Sequence, residues 1–434
     1  MEYFISGIYI ILFLILIFKW KIFIVDGISR KDIAIAFIIK TLAGLLLIWI
    51  YTYYYRDRHN ADIFKYFDDS LIISSSFLTN PKDFFSMVFG FDNHHEYLHQ
   101  NYFINMNHWD SSYSSTILNE SRLVIRLNAI IGLVSFKIHF IHALFFSFLS
   151  LIGFVFIIKT LKKILPKENF RNTFWVLIIF PSILLFTSGI LKEPLIIFGL
   201  GICTYCAISL SENRKIKTKK ILFLILSVVL ILKVKFYVFC CLTTGLIVFV
   251  TIKKTSKNPK LILLINLLIL CIIIGFLHFT ESKYDPISII SEKQQDFIRL
   301  AEFYNAGSRL EISQIQDNLL SFLKAIPRGF INSILKPLPW EISSKIHLIS
   351  VFENLTIISL IAYVFSKYKK LKTTFKINDY ASTYAVLVFV ISLYCIIGMT
   401  TPVFGALIRY KIPGLIFILI GLTITIDKIQ KLKL

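Results

Sequence analysis

Apolar residues run through this chain in long blocks, separated by short lysine-rich stretches and by two long polar loops. A helix needs about 20 apolar residues to cross a hydrocarbon core about 30 Å thick. On that measure, spans are expected near 3–18, 33–53, 138–158, 174–187, 194–210, 221–232, 236–252, 261–279, 346–365, 380–398 and 412–426, about eleven in all. The first run, Tyr3–Phe18, ends in Lys-Trp-Lys with no small-residue cleavage site, so a retained span is expected there. The predicted fold is all-α. It is a polytopic transmembrane helical bundle, a single membrane domain over 1–434, with outer loops at about 54–137 and 280–345.

Both loops carry helical patterns of their own. In 61–72, Ile63, Phe64, Phe67 and Leu71 recur at helical spacing, with Asp62, Lys65 and Asp69 elsewhere on the wheel. Residues 82–89 predict a second short piece. In 292–304, Phe297, Leu300, Ala301 and Tyr304 form a third stripe, with a stop at Asn305-Ala-Gly307. Helices of this kind lie in the membrane surface plane, and long loops that carry helices tend to be functional.

Charge sets the expected topology. The net charge is +21, which alone would admit a nucleic-acid partner. Its placement argues otherwise: 19–33, 159–173, 211–220, 253–260, 366–379 and 427–434 hold 26 Lys/Arg in 70 residues, as topology signals do. Those segments are therefore expected in the cytoplasm, with the N-terminus outside and the C-terminus inside. The expectation is an integral protein of a bacterial inner membrane, partnered by the lipid bilayer and by no nucleic acid. With 56% hydrophobic residues and mean hydropathy +0.72, a soluble domain is excluded. All six cysteines lie in apolar runs, so Cys203 and Cys206 are read as packing residues despite their spacing.

Chemistry concentrates outside the spans. The stretch 51–70 carries Asp57, Asp62, Asp68 and Asp69 interleaved with aromatics, just where an apolar helix ends. Carboxylates in that position face water or a cavity, and Asp62 is the leading candidate for chemistry. The same residues also read as a solvated linker with an aromatic belt. Cations that could meet a phosphate are Lys192 in the hairpin 180–194, Lys235 in KVKFY, Arg122 and Arg126 one helical turn apart, Arg309, and Arg409 beside Tyr410. Each has a structural alternative: Lys235 and Arg409 can anchor at the interface, and Lys192-Glu193-Pro194 suits a helix start. Glu353 is a carboxylate inside a span, hence also a candidate. Residues 92–110 hold His94, His95, His99 and His108 among acidic residues, but not as HExxH. No metal site and no cofactor are assigned, and a divalent metal is left open.

Asp62 in NADIFKYF, the hairpin FPSILLFTSGILKEP and Arg409-Tyr410 in IRYKIP together resemble GT-C-fold membrane glycosyltransferases. The resemblance covers the layout of the chain. It implies transfer of a sugar from a polyprenyl-phosphate-linked donor to a glycan or lipid acceptor on the outer face, with Asp62 as the base. The extra span 3–18 ahead of the acidic stretch makes Asp57 a second position for that role. The layout is also similar to surface-polysaccharide repeat-unit polymerases, for which Arg299, Arg309 and Arg328 in the second loop are the support. A non-enzymatic transporter or flippase of lipid-linked glycans is the third reading. It is weakened by the lack of an internal repeat between the halves.

Overall fold

A computed structural model describes residues 1–55, 58, 61–91, 96–109, 120–166, 168–212, 218–255, 258–280, 282, 284–303, 305–342, 344, 347–372 and 376–431. The chain is all-helical, with only isolated bridges and no strand among those residues. It gathers into two compact units, 1–236 and 237–434.

The first unit contains α1 (Glu2–Lys19), α2 (Arg30–Trp49, prolonged by a π turn over Ile50–Tyr54), α3 (Asp62–Thr79), α4 (Pro81–Phe89), α5 (Glu96–Asn101) and α6 (Glu120–Gly132). It continues with α7 (His139–Ile164), α8 (Arg171–Ile179), α9 (Pro181–Phe186), α10 (Lys192–Glu212) and α11 (Thr218–Val234). Close backbone approach joins α7 to α10. A Cβ on Gly201 would lie 2.2 Å from the Gly153 carbonyl oxygen, and one on Gly153 would lie 2.4 Å from that of Ile197. Small residues allow such contacts between membrane helices, where lipid supplies no hydrophobic drive. Phe13 of α1 packs on Phe37, Phe145 and Phe148 of α2 and α7.

The segment 174–187, expected as one span, is broken. Phe180 is non-helical and Pro181 opens α9 at its first position, where a missing N–H does no harm. The turn 187–191 after α9 is fully buried. Irregular backbone survives at membrane depth only where protein satisfies it. Lys40, fully buried in α2, donates to the Thr187 carbonyl, Thr187 Oγ1 and Ser188 Oγ at 2.9, 2.6 and 3.1 Å. Ser147 and Ser150 of α7 donate to the Ser188 and Thr187 carbonyls.

The second unit holds α12 (Phe236–Thr255, its first residue closing the first unit), α13 (Pro259–Phe279), α14 (Pro286–Phe303), α15 (Leu319–Leu335), α16 (His347–Lys372), α17 (Ile377–Thr400), α18 (Phe404–Tyr410) and α19 (Ile412–Lys431). Its tightest crossing is α15 on α17, where a Cβ on Gly398 would meet the Gly329 carbonyl oxygen at 1.9 Å. The loop after α14 is pinned by Leu310 N–H on the Pro402 carbonyl and Phe404 N–H on that of Ser308. Buried Gln294 donates to the Ser313 and Met399 carbonyls and accepts from Ile315 N–H.

Among the described residues, nine helices are long and apolar enough to cross a membrane: α1, α2 with its π turn, α7, α10, α12, α13, α16, α17 and α19. The expected segments missing from these nine are 174–187, split as above, and 221–232, which lies in the 17-residue α11. Helix α13 has no buried residue although Leu264, Leu268, Ile272 and Phe276 are exposed. Apolar side chains all round a helix call for a hydrocarbon solvent. The chain is an integral membrane protein.

Candidate functional site

The end of α2 and the turn 187–191 meet the apolar face of α3. Leu47, Ala61, Ile63, Phe64 and Leu191 form one buried cluster. The α3 stripe, read from sequence as interfacial, is thus met by protein. His139 Nε2 adds a hydrogen bond to the Ile63 carbonyl at 3.1 Å. These contacts fix the first turn of α3, where Asp62 stands. An acidic residue there also favours the positive end of the helix dipole.

Asp62 Oδ1 lies 3.9 Å from His108 Nε2, and both side chains are about one quarter exposed, at 27% and 26%. The separation is too long for a hydrogen bond and within ion-pair reach when the imidazole is protonated. The position of His108 is set from its backbone: Asp69 accepts from the N–H groups of Asn107 and His108 at 2.8 and 2.7 Å. Burial pushes the Asp69 carboxyl above its usual range, and the N–H groups of residues 107–109 pull against it. Tyr66 stacks edge-on to His108 at 5.0 Å between centroids, and Lys192 Nζ stands 5.8 Å from the Tyr66 ring.

The next residue, Trp109, extends the site. It is buried against Phe103, and the guanidinium groups of Arg122 and Arg126 lie 5.2 and 5.3 Å from its ring. Arg126 Nε donates to the Met87 carbonyl, which holds that side chain in place. Burial, reinforced by repulsion from Arg122, pulls Arg126 down to about 10, so it stays charged at neutral pH. Trp109 Nε1 has no hydrogen-bond partner among the described residues. Two cations one turn apart, Arg122 buried and Arg126 half-buried, concentrate positive charge beside the buried indole N–H.

The structure therefore brings Asp62, Lys192, Arg122 and Arg126 into one unit around Tyr66 and the dipeptide His108-Trp109. Asp57 lies outside the described residues. Lys235 is fully buried, and its ammonium donates to Glu193 Oε1 at 3.2 Å. That contact accounts for its charge within the protein rather than at a surface phosphate. Arg409 and Arg309 belong to the second unit. Arg409 is half-buried beside the Tyr410 ring, and exposed Arg309 donates to the Ala306 carbonyl and Asn305 Oδ1. Glu353 is buried in α16. Its neighbour Asn354 accepts from buried Lys411 at 2.7 Å.

Sequence reading names His108 and Asp69 but does not bring them together, because their contact leaves no trace in local spacing. It misses Lys40, which does leave one, a lone charge in the apolar run 33–53.

For metals, His94 and His95 lie outside the described residues and His99 is half-buried. His278, Asp285 and Asp317 place ligand-capable atoms within 4.8 Å of one another. Asp285 is already engaged there: it accepts from His278 Nδ1, from Ser288 Oγ, and from the N–H groups of Ile287 and Ser288 at the start of α14. This arrangement is a helix cap. Comparison of the chain with protein-family models, with curated proteins and with solved structures returns no match.

Proposed function

We propose that this protein is a membrane glycosyltransferase, taking a sugar from a polyprenyl-phosphate-linked donor and delivering it to a hydroxyl of a glycan or lipid acceptor. The observation that carries the reading is the partly exposed Asp62 carboxylate, fixed 3.9 Å from His108 within a cluster that also holds Lys192, Arg122 and Arg126.

In the proposed step the acceptor oxygen forms a bond to the anomeric carbon, the bond from that carbon to the donor phosphate oxygen breaks, and the acceptor proton passes to Asp62. General-base help of this kind is worth roughly 10²–10⁴ in rate. The departing phosphate gains negative charge, which Arg122, Arg126 and Lys192 are suited to stabilise. Fixed cations and donors of that type contribute on the order of 10²–10³ each.

Repeat-unit polymerisation is the second reading. A cavity of about 220 Å³ in the second unit, lined by Gln294, Glu311, Ser313, Arg328 and Asn332, favours it. Arg328 and Glu311 there offer both a donor fork and an acceptor to a hydroxylated chain.

Mass analysis of lipid-linked glycans from cells with and without the gene tests both. Loss of one sugar from an otherwise complete glycan is the expected result. A complete single repeat accumulating on its lipid carrier would select the polymerase, or a flippase if it accumulates on the cytoplasmic face. An unchanged glycan profile would reject glycan chemistry altogether.

A further inference from the structure

At the other end of the first unit lies a second cavity, of about 240 Å³, that the glycosyl-transfer reading does not use. Its walls are the turn between α1 and α2, the last turns of α7, and Tyr205 of α10. The turn is a tight one: Val25 and Ile28 pair as a bridge, with Gly27 at φ +83. Three lysines, Lys159, Lys162 and Lys163, line the cavity together with one carboxylate, Asp26. Lys159 Nζ donates to the Ile22 carbonyl and Lys162 Nζ to that of Glu168. An ammonium has three N–H groups, so one hydrogen bond anchors each of these two lysines without using all its donors, while Phe156 and Phe170 pack beside the ammonium groups.

The depth of this cavity matters. His139, which bonds the first turn of α3, opens α7, and Lys159 lies twenty residues further along the same helix. At 1.5 Å per residue that is roughly 30 Å, one hydrocarbon thickness. The cavity therefore opens at headgroup level on the face opposite Asp62. Trp20, partly exposed beside Lys19 and Lys21, is the kind of residue found at that level.

We propose that this cavity is a binding site for a phosphate group, held by Lys159, Lys162 and Lys163, with Asp26 accepting from a neighbouring hydroxyl. A glycerol-bearing anionic phospholipid headgroup and a free phosphate share this chemistry. Basic pockets between membrane helices hold anionic headgroups in this way. Lysines that act only as topology signals need no concavity and no anchoring hydrogen bonds.

The test uses the full chain in detergent, with native mass spectrometry and thermal melts. Wild type is expected to retain one more phosphatidylglycerol than Lys162→Gln/Lys163→Gln, whose affinity should fall about thirtyfold. Phosphatidylcholine retention should be the same for both. Lys162→Arg/Lys163→Arg should keep binding, which separates loss of charge from misfolding. Lys253→Gln/Lys254→Gln, which removes the same charge from the second unit, should bind like wild type. Protection of wild type by phosphatidylglycerol but not inorganic phosphate assigns the site to lipid. Equal protection by inorganic phosphate assigns it to a free phosphate. Equal retention by wild type and Lys162→Gln/Lys163→Gln, or equal loss in the Lys253/Lys254 control, would overturn the proposal.

Discussion

Glu193 and Lys235 are both fully buried and 3.2 Å apart. Removing one partner of such a pair strands the other charge and costs about 3–5 kcal/mol, whereas replacing both with apolar residues is close to neutral. Glu193→Leu alone should therefore lower the melting temperature sharply, and Glu193→Leu/Lys235→Met should recover most of the loss. Additive losses in that double-mutant cycle would mean the two charges do not depend on each other. Asp285 allows a test by pH. Burial works to raise its carboxyl, but His278, Ser288 and two backbone N–H groups outweigh that and hold it down at about 2. A depressed carboxylate adds stability that is present above its unfolded value, near 4, and lost as pH falls toward 2. Asp285→Asn should melt below wild type at neutral pH, and the gap should close as pH falls through that window. A gap independent of pH would assign the effect to shape rather than charge. Neither contact was legible in sequence. Lys235 stands in a short polar stretch that reads as a surface turn, and its partner comes from another helix.

Helices were legible where composition alone decides them. A long apolar run must be helical in lipid because nothing else satisfies its backbone, and α1, α2, α7, α10, α12, α13, α16, α17 and α19 all follow runs visible in the sequence. The amphipathic stripe in 61–72 likewise returns as α3. Its environment was not legible, since periodicity gives a face and not what covers it. The hairpin 180–194 was legible as a break but not as a buried one. Its carbonyls are satisfied from α2 and α7, and only the tertiary fold brings Lys40, Ser147 and Ser150 to that turn. Substitution at the α7–α10 contact tests how closely these helices pack. Gly201→Ala places a methyl against the Gly153 carbonyl and should lower the melting temperature. Gly7→Ala, with open space around it, should leave it unchanged or slightly raised through helix propensity. Equal effects at both positions would contradict the close packing.

Two ends of one membrane unit carry different chemistry. The α3 end gathers a carboxylate, a histidine and three cations, and the α1–α2 turn gathers lysines about one bilayer thickness away along α7. That the chain spans a membrane is written in its composition. Asp62 was legible as a candidate from its place after a span, and Arg122 and Arg126 from their helical spacing. Their grouping was not, because His108 and Trp109 link them only once the loop has folded back onto α3. Arg409, tied to Asp62 in sequence only by resemblance, lies in the second unit. In the proposed reaction Asp62 takes the acceptor proton. The most direct measurement is sugar transfer from a labelled polyprenyl-phosphate donor by purified protein in proteoliposomes, comparing wild type with Asp62→Asn alongside donor binding and a thermal melt. Transfer should fall by roughly 10²–10⁴ while donor binding and melting temperature stay near wild type. Turnover by Asp62→Asn equal to wild type would contradict it.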